Sequence, residues 1–224
     1  MKQIALDIGL SDPPSFDNFF AGPNEAALAH LKLWTAHATR SPVPTYLWGA
    51  EGSGKSHLLA ACGEALRDQG ARLGWMDASV REPPDFDETW TALMLDDVDR
   101  YTTARQQAAF AWFVNAQTHQ RWVLAAGSLP PADLGLREDL RSRLGWGHVF
   151  ALQPLSEPDR RSVLRQAADA RGVFLGDDVM DFMLSRFSRD LGSLMRLLRR
   201  IDQYALANKR ALTVPLMKSM LDEE

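Results

Sequence analysis

The stretch that most narrows what this chain can become is Gly49-Ala50-Glu51-Gly52-Ser53-Gly54-Lys55-Ser56, directly after the apolar run Thr45–Trp48. It satisfies G-x-x-x-x-G-K-[ST] at every defined position. Glycines let the backbone curl until successive N–H groups point at one centre, which suits phosphate oxygens. A helix beginning at Ser56 adds the partial positive charge of its N-terminus. In that arrangement Lys55 reaches the β- and γ-phosphates and the Ser56 hydroxyl holds Mg²⁺. Gly49, Gly52, Ser53, Gly54, Lys55 and Ser56 are therefore read as nucleotide-binding, for ATP or ADP.

Such a loop needs a second metal partner at the end of a neighbouring strand. Leu93-Met94-Leu95-Asp96-Asp97 supplies it, 41 residues after Lys55. Asp96 fits the acid on the Mg²⁺ side, with Ser56. Asp97 fits the position that orients or activates water.

The rest of the pattern agrees with an α/β layering. Thr45–Trp48, Arg72–Met76, Ala92–Leu95, Arg121–Ala126 and His148–Leu152 read as five short strands. His57–Gln69, Thr103–His119 and Leu136–Leu144 between them have helical apolar spacing. Strands alternating with helices imply βαβ units and a largely parallel sheet covered on both faces. After Pro154 the texture becomes purely helical. Ser156-Glu157-Pro158-Asp159 is a capped helix start, and that helix should stop at Gly172. Further helices are expected from Asp177, from Leu191 to Asn208, and after Thr213. The expected organisation is a tail over 1–14, a nucleotide-binding α/β domain over 15–153, and a small helical domain over 154–224.

Composition excludes more than it assigns. With 46% hydrophobic and 24% charged residues the chain is ordinary for a globular protein. One cysteine, Cys62, rules out a disulfide framework and fits a reducing compartment. The start, MKQIALDIGL, is too short and polar for a secretory signal, and no apolar run of about 18 residues occurs, so a cytoplasmic protein without membrane contact is expected. A net charge of −4 argues against a dedicated nucleic-acid binder, leaving DNA contact indirect or weak. The five histidines lack metal-ligand spacing, Ser128 lies outside any nucleophile elbow, and the seven tryptophans read mostly as core.

Several strings together resemble the DnaA-related AAA+ family, most closely its short regulatory-inactivator group, Hda. Ser15-Phe16-Asp17-Asn18-Phe19-Phe20-Ala21-Gly22-Pro23-Asn24 is similar to the segment that opens the initiator's nucleotide domain and borders its adenine pocket, which brings in Phe19. The phosphate loop continuing into His57-Leu58-Leu59, the Asp96-Asp97 pair and Ser128-Leu129-Pro130-Pro131 follow the same family. Leu140-Arg141-Ser142-Arg143-Leu144-Gly145-Trp146-Gly147 resembles its arginine-finger motif. The resemblance implies a five-stranded parallel sheet in the order 5-1-4-3-2 with a helical lid, and an Arg143 that reaches across a subunit boundary to a neighbour's γ-phosphate. Gln3-Ile4-Ala5-Leu6-Asp7-Ile8 is similar to the sliding-clamp-binding pattern, with Gln3, Leu6 and Ile8 as the contacting residues.

Two departures bear on activity. Gly192 falls where the initiator's lid arginine contacts the phosphates, leaving Arg189 or Arg196 as stand-ins, and the fourth strand offers only Ser128 as a polar sensor. Weak or no hydrolysis of its own is expected. The resemblance implies a clamp-bound adaptor that promotes hydrolysis of ATP on the initiator DnaA, with self-association into a homo-oligomer left open. An autonomous loader- or motor-like ATPase and a non-catalytic tethering factor are the rival readings.

Overall fold

The structure, a computed structural model, describes residues 13–36, 42–187 and 190–222. Gln3, Leu6, Ile8 and Arg189 lie outside the described residues. Two compact units divide the chain between Pro154 and Leu155.

In the first unit, β1 (Thr45–Trp48), β2 (Leu73–Met76), β3 (Ala92–Leu95), β4 (Trp122–Gly127) and β5 (His148–Ala151) form one sheet in the order β2-β3-β4-β1-β5. Every pairing is parallel. This is the order the family resemblance implies, and all five strands lie within a residue of the sequence-based bounds at both ends. Side chains alternate between the two faces, as the pleat requires. Leu47, Met94 and Leu124 pack under α1 (Glu25–Ala36) and α2 (Lys55–Arg67), while Tyr46, Leu93 and Val123 pack under α3 (Thr103–Thr118) and α4 (Glu138–Gly145).

The register decides where the functional residues emerge. Trp48 pairs with Gly127, and Leu95 pairs with Ala125. Both β1 and β3 therefore end beside the end of β4, so the loop from Gly49 and the acid pair from Asp96 leave the same rim. Ligands of open parallel sheets bind outside this carboxyl edge.

Helix α1 is absent from the sequence-based reading. Its sequence, EAALAHLKLWTA, is apolar almost all round, so the stripe formed by Ala27, Leu31 and Trp34 has no polar contrast. The outer Leu33 stays 60% exposed, which is what blurred the period. Six tryptophans are buried or half-buried, while Trp146 is 61% exposed, a departure from the expected core role.

The second unit consists of α5 (Glu157–Asp169), α6 (Asp177–Arg186), α7 (Leu191–Asn208) and α8 (Val214–Asp222) around Leu164, Met180, Met183, Leu198, Ile201 and Met217. Helix α7 matches its sequence-based bounds because the i, i+3, i+4 stripe of Leu194, Leu197, Leu198, Ile201 and Ala205 is uninterrupted. Among the described residues no helix is long and apolar enough to cross a membrane.

The start of α5 is a reciprocal capping box. The Ser156 hydroxyl accepts from the Asp159 N–H at 3.3 Å, and the Asp159 carboxylate accepts from the Ser156 N–H at 3.3 Å. Ser156→Ala removes one of these bonds and should cost about 1 kcal/mol of lid stability, measured by urea unfolding and by faster hydrogen exchange in the first turn of α5.

Candidate functional site

The loop between β1 and α2 is wound as its glycines permit. Gly52 and Gly54 have φ of 77° and 96°, in the left-handed region that favours glycine. A Cβ at Gly54 would lie 2.6 Å from the Phe19 ring, and one at Gly49 would collide with the Leu152 carbonyl. The loop is thus clamped between β5's exit and the segment carrying Phe19. Ser53 is 4% exposed, and its hydroxyl has no hydrogen-bond partner among the described residues.

Lys55 begins α2 and turns back into the loop. Its ammonium donates to the carbonyls of Gly49 at 2.8 Å and Ala50 at 3.0 Å. Burial, to 9% exposure, pulls its pKa down, and the charges of Asp96, Asp97, Asp99 and Glu51 pull the other way. A cation so enclosed, with one acid pair beside it, is matched to an anion that arrives with its own charge.

Asp96 follows β3 and is 7% exposed. Its N–H donates to the Met76 carbonyl at 2.8 Å, and its carboxylate accepts from the Asp97 N–H at 2.9 Å and from the Ser56 hydroxyl. Burial raises the Asp96 pKa above the ordinary carboxylate range. Ser56 and Asp96, expected as metal partners, are thus brought together as an all-oxygen pair of the kind hard divalent cations take. Among the described residues no cluster of three or more His, Cys, Asp or Glu could hold a metal without help from a ligand. Asp97 adopts a left-handed backbone, φ 50°, and its carboxylate lies 3.8 Å from the Arg100 guanidinium.

On the other flank, Phe19 stands against His57, ring centroids 5.5 Å apart, and the His57 Nε2–H donates to the Ser15 carbonyl at 3.0 Å. Burial lowers the His57 pKa. A neutral imidazole here ties the first turn of α2 to the segment that carries Phe19, so the two predicted residues share one wall of the loop.

Arg143 lies on α4, and its partners are on α3. Its guanidinium donates to Gln117 Oε1 at 3.1 Å and lies 5.1 Å from the centroid of the Phe110 ring, both on α3. Arg137 approaches the same ring at 5.4 Å. The two α3 residues are partners that spacing alone does not reveal, because they belong to a different helix.

In the second unit, Gly192 occupies the first turn of α7, where Asp190 caps the N–H groups of Gly192 and Ser193. Arg196 folds back toward this turn. It donates to the Ser193 hydroxyl at 2.8 Å, lies 4.0 Å from Asp190, and sits 3.6 Å from where a Cβ of residue 192 would be. Arg196, one of the two expected stand-ins, thus lies beside Gly192.

Residues 157–221 match the family model described as Hda, lid domain. Domain III of the Thermotoga maritima replication initiation protein DnaA superposes with a TM-score of 0.77 at 21% identity, covering 93% of this chain and 95% of that one. The match to the Hda lid model covers the second unit, and the chain as a whole shares the fold of this DnaA domain. AMPPCP-bound DnaA from Aquifex aeolicus gives a TM-score of 0.69 at 22% identity over 86% of this chain and 66% of that one. The Thermotoga maritima RuvB Holliday junction branch migration motor gives 0.66 at 18% over 94% and 72%. At these identities the structural likeness is one of fold, and the family model speaks for residues 157–221 alone.

Within this AAA+ frame the sequence reading left one pair unassigned. Both donors of Ser128, its N–H and its hydroxyl, are spent on the Asp99 carboxylate, each at 2.9 Å. The available signal was faint: a third acid three residues past Asp96, and a lone hydroxyl after the fourth strand.

The raised pKa of Asp96 has a definite consequence for stability. The folded, nucleotide-free protein holds this proton more tightly than the unfolded chain, whose carboxyl sits near pH 4. Stability therefore falls as pH rises from the ordinary carboxylate value through the raised one, and the penalty persists at neutral pH. Asp96→Asn should raise the melting temperature at pH 7 without nucleotide, with the gain vanishing below about pH 4. Thermal melts at both pH values check this.

Proposed function

We propose that this protein is a regulatory inactivator of the replication initiator DnaA. It carries ATP or ADP with Mg²⁺ in its own loop and presents Arg143 to the ATP bound on DnaA, promoting hydrolysis and so repressing re-initiation of replication. Gln3, Leu6 and Ile8 hold it to the DNA polymerase sliding clamp, which brings it to replicated DNA with only indirect or weak DNA contact of its own. The reading places it in the cytoplasm, and a homo-oligomer is compatible with it.

The observation that carries this reading is the separation of cation and loop within the α/β unit. Lys55 is committed to its own loop, whereas Arg143 is committed to α3 by Gln117 and Phe110. An arginine whose partners belong to α3 and not to the phosphate loop supports a role toward a second molecule. Its planar fork matches phosphate oxygens bidentately, and it becomes most valuable as charge builds there during phosphoryl transfer. The Hda-type lid over 157–221 supports the same conclusion. So do the nucleotide-analogue complexes of DnaA that share the fold.

Mg²⁺ would be held by the Ser56 hydroxyl and the Asp96 carboxylate, and it would neutralise phosphate charge. The buried Asp96, raised in pKa by desolvation, fits such an ion. Gly192 in place of a lid arginine favours assistance to a partner over vigorous turnover by this chain itself.

Single-turnover hydrolysis of DnaA-bound ATP, with clamp loaded on DNA, tests the proposal. Arg143→Ala should lose most of an acceleration that a trans arginine raises to about 10³-fold or more, and Arg143→Lys should recover little because it lacks the fork. Equal stimulation by Arg143→Ala reduces the protein to a tether.

Replacing Gln3, Leu6 and Ile8 together by Ala should abolish retention on immobilised clamp while leaving the melting temperature unchanged. A triple variant that still binds clamp removes these residues from the interface.

A further inference from the structure

The end of β4 is built around Asp99. Ser128 donates to its carboxylate through both N–H and hydroxyl, each at 2.9 Å. Residue 127 must be glycine for this to happen, since a Cβ there would lie 3.1 Å from Asp99 Oδ1 and would collide with the Tyr46 hydroxyl. The Gly127 carbonyl in turn accepts from the Gly49 N–H at 3.3 Å, which is the first residue of the phosphate loop. One carboxylate thus ties the turn after Asp96-Asp97 to the end of β4, and through it to the start of the loop.

Asp99 also acts through its field. Its carboxylate is held at the end of β4 by Ser128, next to the Gly127 whose carbonyl holds the first residue of the phosphate loop. The rim therefore carries Asp96, Asp97 and Asp99 around one buried ammonium. A bare nucleotide brings further negative charge to that rim, whereas a nucleotide with a divalent cation does not to the same extent. A carboxylate held by two donors stays in place, so its repulsion is a fixed property of the site.

We propose that Asp99 is a positioning residue of the nucleotide site: clamped by Ser128, it aligns the end of β4 with the phosphate loop and, through its charge, makes nucleotide binding depend on a divalent cation. This rests on the nucleotide-binding reading of the loop and adds to it a residue that the phosphate-loop motif does not contain.

The test is the affinity of the full chain for a fluorescent ADP, with Mg²⁺ and with EDTA, alongside urea unfolding. The quantity read is the ratio of Kd in EDTA to Kd in Mg²⁺. Asp99→Asn and Asp99→Ser remove the charge and should shrink this ratio by about three- to tenfold, whatever the loss of the clamp does to both affinities alike. Ser128→Ala keeps the charge and loosens the clamp. It should weaken binding in both conditions and leave the ratio at the wild-type value.

An unchanged ratio in both Asp99 variants overturns the inference, and so does an equal fall of the ratio in Ser128→Ala, which would make the effect one of packing. If Asp99→Asn does not fold, Asp99→Ser decides. Lys55→Ala separates the two levels. Wild-type protein that binds no nucleotide, or binds it as well as Lys55→Ala, refutes the nucleotide reading itself. Binding that Lys55→Ala abolishes and the Asp99 variants leave untouched refutes only the role of Asp99.

Discussion

Because β4 is hydrogen-bonded to β1 on one side and β3 on the other, the residues after all three strands are delivered to one rim. Each pairing is parallel, so the chain must cross over between consecutive strands, and the helical crossovers α2 and α3 cover opposite faces of the sheet. The phosphate loop, the acid pair and Ser128 are far apart in sequence and adjacent only because of this register. A slip of one residue in β3 would turn Leu93 and Leu95 to the wrong face, exchange them with Met94, and move Asp96 off the rim.

The rim is then a problem in charge. Lys55 and Asp96 are both buried, and desolvation works against the charged form of each. Ser56, the Asp97 N–H and the carbonyls of Gly49 and Ala50 give these groups hydrogen bonds but little net countercharge. Under the proposed reading, a polyphosphate would supply negative charge to Lys55 and a divalent cation positive charge to Asp96, a trade of stability for function commonly met where a site requires buried charge.

Much of this was legible in the residues. The glycine spacing, the Lys-Ser pair and the apolar run ending in two acids each imply local chemistry, and Phe19 and His57, expected from the family resemblance, do meet across the loop. Other features were not legible, for identifiable reasons. Helix α1 lacks polar contrast. The partners of Arg143 lie on α3, and the Asp99–Ser128 pair joins positions 29 residues apart. Trp146, counted with the core aromatics, stands at the end of α4 with nothing packed over it to bury its ring, 61% exposed.

The sequence by itself determined the layering, the phosphate loop and the helical texture of the lid, because those depend on periodicities of 2 and 3.6 and on short-range backbone freedom at Gly52 and Gly54. Only the tertiary structure decided which way the charged groups face. Arg143 rests on Phe110 and Gln117, Asp99 takes both donors of Ser128, and Arg196 lies beside Gly192. The reason is physical: a long or ionised side chain goes where the nearest desolvated partner is, and that partner belongs to another element whose position is set by the packing of the whole sheet.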